Sequence, residues 1–235
     1  MKLDELNTYC LSLERRQDRR EKVEPNIRKV GIDFKWAWAI DGYKLEYDPE
    51  SIPHPYMRDR PGTVGICLSY KAMFEKAKEN KLPHIFILED DVVFSDDFSD
   101  KNQDFLHNVP QDWDMIYLGG NHLDHHPIKI NEHVSKCVST RSSHAVIYKD
   151  TCYDYFINIL GKMINPLDEV FAKAQRDRDV VAYVPDPPLA WQFDGHSDIE
   201  DRYANYAFLE VFDEEDYIND RAVKNYPMRN FTDSE

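Results

Sequence analysis

The run Ile85-Phe86-Ile87-Leu88 is wholly apolar and stops abruptly in Glu89-Asp90-Asp91. A short apolar run with no polar alternation belongs to a strand covered on both faces, which occurs where helices pack on either side of a sheet. The surrounding pattern supplies those helices. Cys67, Tyr70, Phe74 and Ala77 fall at i, i+3, i+7 and i+10, which predicts a helix over 64–80, ended by Pro83. A β-branched and apolar run over 6–13 reads as a strand, the charged stretch over 14–20 as helical, and 34–40 as a second strand closed by the turn pair Asp41-Gly42. The Tyr/Pro-rich segment 43–61 reads as a long loop, a feature that is often functional. Further strands are expected at 114–118, 134–139, 144–148 and 179–184, with helices at 150–161 and 167–176. Strands alternating with helices imply an α/β fold in a single domain with a mainly parallel central sheet. Residues 1–199 form that domain, and 200–235 are an acidic extension whose densest run is Asp213-Glu214-Glu215-Asp216.

Charge narrows the partners. Twenty-nine Lys and Arg stand against 44 Asp and Glu, a net charge of −15 that argues against nucleic-acid binding and suits a cationic partner better. A hydrophobic fraction of 42% is too high for disorder, and no apolar run is long enough to cross a bilayer. Met1-Lys2-Leu3-Asp4-Glu5 lacks a basic region followed by an apolar one, so no secretory signal is expected. Cys10, Cys67, Cys137 and Cys152 form no CxxC pair, and four buried thiols in a reducing compartment are expected. Both points favour a cytoplasmic location, with the secretory pathway as the alternative for a domain cut from a longer precursor. The oligomeric state is left open.

Open α/β sheets bind ligands at the carboxyl ends of their strands, which makes Glu89-Asp90-Asp91 the leading candidate site. By strand alternation Glu89 and Asp91 face one way and Asp90 the other. Paired carboxylates there suit Mn²⁺ or Mg²⁺, while an acidic cap on the next helix is the plainer alternative. The cluster Asn121-His122-Leu123-Asp124-His125-His126 follows Gly119-Gly120, and Gly120-Asn121-His122 is similar to a metallophosphoesterase signature, although no Asp-x-His near the first strand completes it. Asp168 and Glu169 open a helix, where dipole stabilisation is their simplest role, and Asp194-Gly195-His196 lies in a turn-rich stretch.

Taken in order, Tyr9-Cys10-Leu11-Ser12-Leu13 with Arg16 and Arg19, Ala39-Ile40-Asp41-Gly42, Gly62 to Gly65 running into Leu68-Ser69, Phe86 to Val92, Asp114 to Gly119, and Ser197-Asp198-Ile199 resemble glycosyltransferase family 25. The family includes bacterial lipooligosaccharide galactosyltransferases and procollagen galactosyltransferase domains. Tyr70 stands where the family often has His, and Ser142-Ser143-His144-Ala145 matches its Thr-x-Ala-Tyr-type strand only approximately. The resemblance implies a GT-A (Rossmann-like) fold, a UDP-sugar donor, and transfer of galactose or glucose with inversion. The acceptor is a hydroxylysine of a collagen-like protein or a lipooligosaccharide sugar. It also implies roles: Glu89, Asp91 and His196 for the metal; Ser12, Leu13, Arg16, Arg19, Asp41, Gly42 and Asp90 for the nucleotide sugar; Asp168, then Asp194, for the base. Two other functions stay open, a catalytically silent GT-A-like binding module and a metal-dependent phosphoesterase built on His122.

Overall fold

A computed structural model describes residues 1–122, 125–199, 201–206 and 209. The acidic run 213–216, with Leu123 and Asp124 of the histidine cluster, lies outside them. In chain order the elements are β1 (Asn7–Leu13), α1 (Gln17–Lys29), β2 (Lys35–Ala39), α2 (Pro55–Arg58), α3 (Pro61–Glu79), β3 (His84–Glu89), β4 (Val92–Phe94), α4 (Phe98–Asn108), β5 (Met115–Tyr117), β6 (Ile128–Lys129), β7 (Val134–Lys136), β8 (Ala145–Lys149), α5 (Tyr153–Leu160), α6 (Leu167–Arg176), β9 (Ala182–Pro185), β10 (Ala190–Gln192), β11 (Gly195–Ser197) and β12 (Arg202–Ala204). No helix among the described residues is long and apolar enough to cross a membrane.

Eight strands form one sheet in the order β2-β1-β3-β8-β5-β9-β7-β6. β1, β2, β3, β5, β9 and β6 point one way, and only β8 and β7 run against them. This is the expected α/β fold with a mainly parallel sheet. Alternate residues of β3 separate its two faces. Ile85 and Ile87 join a core with Tyr70 and Phe74 of α3, Phe156 of α5 and Phe171 of α6. Phe86 and Leu88 join a second core with Val23 and Ile27 of α1 and Phe98 and Phe105 of α4. The wholly apolar sequence of β3 follows from burial on both sides. Cys67, Tyr70, Phe74 and Ala77 are all buried on the inward face of α3, as their spacing requires. All four cysteines are buried and unpaired.

Helix α1 begins at Gln17, later than the charged stretch suggests, because Arg16 N–H closes a turn on the Leu13 carbonyl at 2.9 Å. Arg20 holds that turn from the helix side, donating to the carbonyls of Leu13 at 2.6 Å and Glu14 at 2.8 Å. Residues 14–16 therefore stay at the strand end, and Arg15 and Arg16 with them. The chain then leaves β1 for α1 on one face of the sheet and β2 for α3 on the other, so the loops diverge and open a cleft at the carboxyl edge. Glycines let the walls of that cleft close up. A Cβ on Gly42 would lie 1.7 Å from the Pro61 carbonyl oxygen, and one on Gly65 would lie 2.5 Å from the Ile40 carbonyl. Gly42→Ala is expected to cost about 1–3 kcal/mol, because backbone must move to admit the methyl group; an unchanged urea midpoint would contradict this.

Candidate active site

Parallel pairing sets the site. Leu11 lies opposite Glu89 and Leu13 opposite Ala39, so the ends of β1, β2 and β3 meet at one edge. A cleft opens at that edge. Ser12, Leu13, Arg19, Glu89, Asp90, Asp91 and His196 line it. Arg16 lines an adjoining shallower cleft, which His196 shares.

The chain turns at residues 90–91, so strand alternation no longer directs the side chains beyond Glu89. Asp90 and Asp91 both pair with Arg19, Asp90 at 2.9 Å from its Nε and Asp91 through a terminal nitrogen. Burial alone would lower the Arg19 pKa, but Asp91 and Asp90 raise it well above its ordinary value. Burial pushes Asp90 up to about 6 against the pull of Arg19. Asp91 Oδ2 also accepts from Gln192 at 3.1 Å, and the Phe193 N–H bonds the Asp91 carbonyl at 2.9 Å. Its Oδ1 is buried and has no hydrogen-bond partner among the described residues.

Glu89 is held from another side. Its Oε1 accepts from the Tyr70 hydroxyl at 2.8 Å and from Ser143 Oγ at 2.8 Å. Burial, then the charges of Asp91 and Asp168, push its pKa up to about 8. The proton is retained in the fold over a pH range where the unfolded chain has lost it, so stability falls as pH rises from about 4.5 to about 8. Glu89→Gln keeps an Oε1 acceptor and removes the charge. It is expected to melt above wild type at pH 8 and near wild type at pH 4, by thermal denaturation at the two values.

The remaining expected residues are spread around this centre. Asp41 accepts from Arg15 Nε at 3.0 Å and from the Tyr43 N–H at 3.2 Å, and Gly42 packs against the Pro61 backbone. Arg16 pairs with Asp18 at 2.9 Å and with Asp198. His196 is half exposed, 3.4 Å from Asp201. Asp168 lies outside the lining, at the first turn of α6, accepting the Ser142 N–H at 3.1 Å. Asp194 holds Asn205 Nδ2 at 3.0 Å and the Tyr206 N–H at 2.7 Å, which secures the β11–β12 hairpin. His122 is buried, with Nδ1 2.9 Å from Thr140 Oγ1, and burial drives its pKa down to about 3. Arg15, Tyr70, Ser143, Gln192 and a linking role for Asp198 are absent from the sequence expectations. Asp198, 2.8 Å from Arg15, stands inside the quoted Ser197-Asp198-Ile199, and Ser143 inside Ser142-Ser143-His144-Ala145, so these two could have been found.

Among the described residues no group of three or more His, Cys, Asp or Glu side chains is arranged to hold a metal ion. A hard cation carried with a diphosphate needs only one or two protein carboxylates, the phosphates and water completing its shell. The bare Asp91 Oδ1, with the Glu89 carboxyl close enough to feel its charge, fits that smaller requirement.

Fold and cleft thus define an α/β protein with a cleft at the carboxyl edge of its parallel strands and arginines and carboxylates interleaved around it. The model of glycosyltransferase family 25 (LPS biosynthesis protein) matches residues 5–166, and the chain belongs to that family. That match includes the arginines and the acidic triplet but ends before Asp168, Asp194 and His196. The chain is 34% identical over 134 residues to procollagen galactosyltransferase 1-B of Xenopus laevis, covering 51% of this chain and 21% of that protein. It is 29% identical over 125 residues to inactive glycosyltransferase 25 family member 3 of Homo sapiens, covering 47% of this chain and 21% of the other. The matched segment is about a fifth of the length of these relatives. The crystal structure of a glycosyltransferase involved in the glycosylation of the major capsid of PBCV-1 aligns over 66% of this chain and 65% of its own at 8% identity, with a TM-score of 0.39, too low to carry an argument.

Proposed function

We propose that the chain is an inverting hexosyltransferase of the GT-A type, moving galactose or glucose from a UDP-sugar to an acceptor hydroxyl. The observation that carries this is the cleft where Arg19 faces Asp90 and Asp91 while Asp91 Oδ1 has no partner among the described residues, a place prepared for a cation and an anion together. Asp91 through Oδ1, with Glu89, holds Mn²⁺ or Mg²⁺, and His196 at the rim adds a contact to the metal or the phosphates. The bound cation supplies neutralising charge to the departing diphosphate. Ser12, Leu13, Arg16, Asp41, Gly42 and Asp90 hold the nucleotide around the end of β1, and Arg19 faces its phosphates. The acceptor oxygen forms its bond to the anomeric carbon as the bond to the diphosphate breaks, and Asp168 takes the acceptor's proton. Asp194 is the second choice for the base, since both its oxygens already bind the hairpin.

The acceptor is a hydroxylysine of a collagen-like chain or a lipooligosaccharide sugar, classes in keeping with the names procollagen galactosyltransferase and LPS biosynthesis protein, and the net charge of −15 favours the cationic one. Residues 1–199 act as the transferase domain, with 200–235 an extension of it, and the location is cytoplasmic, or secretory within a longer precursor. A silent binding module is the second reading, favoured by the Arg19 guanidinium seated between Asp90 and Asp91 and by the relative named inactive.

Thermal denaturation with a panel of UDP-sugars, with and without Mn²⁺, separates the two. A ligand that binds only the fold raises its stability by RT ln(1 + [L]/Kd), about 2.7 kcal/mol at a hundredfold excess over Kd. A shift that needs both metal and nucleotide supports the transferase. A folded chain that shifts with no nucleotide leaves the silent module.

A further inference from the structure

Glu89 and Asp168 come from different elements, one at the end of β3 and one at the start of α6, yet adjacent residues of a single turn bind both. Ser143 Oγ donates to Glu89 Oε1 at 2.8 Å, and the Ser142 N–H donates to Asp168 Oδ1 at 3.1 Å. Ser142 has a φ of 67°, left-handed backbone that a non-glycine residue adopts at a cost and that clusters at functional sites. The turn is fastened on both sides. The Tyr70 hydroxyl, fully buried in α3, lies 2.8 Å from Glu89 Oε1 and 3.1 Å from the Ser143 carbonyl. Gln175 of α6 accepts the Thr140 N–H at 2.7 Å and donates to the Thr140 carbonyl at 3.0 Å, in a buried setting. Helix α6 therefore carries Asp168 at its first turn and, two turns on, the amide that clamps the loop holding Asp168.

From this we infer that the Ser142-Ser143 turn is a positioning device that sets the separation of Glu89, which lines the cleft, from Asp168, which stands outside that lining at the start of α6, with Tyr70 and Ser143 as its positioning residues. The inference rests on the transferase reading above. Two hydroxyls on Oε1 hold the Glu89 carboxyl in one orientation. A donor whose diphosphate and cation are held at Glu89 and Asp91 then stands at a set distance from the group that removes the acceptor's proton. Water needs no such spacing to attack the same anomeric carbon. Loss of the device therefore damages transfer to an ordered acceptor more than hydrolysis of the donor.

The test compares wild type with Ser143→Ala and Tyr70→Phe, each losing one hydroxyl. Three quantities are measured: the rise in Tm with UDP and Mn²⁺, hydrolysis of UDP-galactose and UDP-glucose, and transfer to a Gly-X-hydroxylysine peptide or a lactoside. The UDP-induced shift is expected to persist and the ratio of transfer to hydrolysis to fall about tenfold, since small misplacements of a reacting group carry penalties of that order or more. Equal loss of both rates, as a general loosening of the fold would give, overturns the positioning role and leaves the transferase reading standing. So does an unchanged ratio. A wild-type chain that neither shifts with UDP nor consumes either sugar nucleotide overturns the transferase reading itself. Crystal structures of wild type and Ser143→Ala then decide the device, which an unchanged Glu89 orientation and Glu89–Asp168 separation would overturn.

Discussion

Asp91→Asn is expected to abolish the Mn²⁺-dependent thermal shift with UDP and to lower sugar transfer by about 10³-fold, near 4 kcal/mol of transition-state stabilisation. The substitution keeps the size of the side chain and an oxygen for Arg19 or Gln192, so it removes charge with little change of shape. It also replaces the one buried carboxylate oxygen of the cleft that lacks a partner among the described residues, the atom available to a cation brought in with the diphosphate. Charge developing on a departing diphosphate in a part-buried cleft is where a preorganised counter-charge has its largest effect. Steady-state transfer rates together with melting curves over a Mn²⁺ titration check the prediction. Retention of both the shift and the rate within threefold would remove Asp91 from the site.

Arg19→Met should destabilise the fold by about 3 kcal/mol at pH 7, because breaking a buried pair leaves uncompensated charge behind. The Arg19 side chain is 15% exposed and the Asp90 and Asp91 side chains 9%, so water can take over little of its role. Methionine fills much the same volume, which keeps cavity effects small. For a chain of this size the loss lowers Tm by roughly 6–12 °C. Asp90 supplies the pH dependence. Its pKa is about 6 with Arg19 beside it, and losing that guanidinium raises it further. The destabilisation is therefore full only above that raised pKa and shrinks from there down to about pH 6, below which Asp90 is protonated with or without Arg19. Equal destabilisation at pH 5 and pH 8 would show that the loss comes from packing and not from charge.

Much of the architecture was legible before any coordinates. The double-sided burial of β3 shows in the unbroken Ile85–Leu88 run, and the inward face of α3 shows in the spacing of Cys67, Tyr70, Phe74 and Ala77, because periodicity records which sides of an element meet apolar surroundings. The acidic end of β3 shows in the sequence as a candidate site because open α/β sheets bind ligands at their carboxyl edge, and the arginines after β1 are placed beside it by the resemblance to family 25. The helix at Leu167–Arg176 was placed within its bounds. Short strands were harder. The pairing of β4 with β10, which brings Gln192 and Phe193 onto Asp91, joins two three-residue strands too brief to carry a period.

The sequence by itself determined the alternating elements, the two cores and the edge at which chemistry gathers, because each is a property of neighbouring residues. Tertiary structure alone decided the partners. Arg15 meets Asp198 across 183 positions, and Ser143 meets Glu89 across 54. Asp90 and Asp91 share Arg19 because the chain turns just past β3, where strand alternation stops applying. Which carboxylate faces a cation, which is held by hydroxyls and which closes a hairpin depends on strand order and register across the sheet. Those are set by long-range packing, and local sequence periodicity does not encode them.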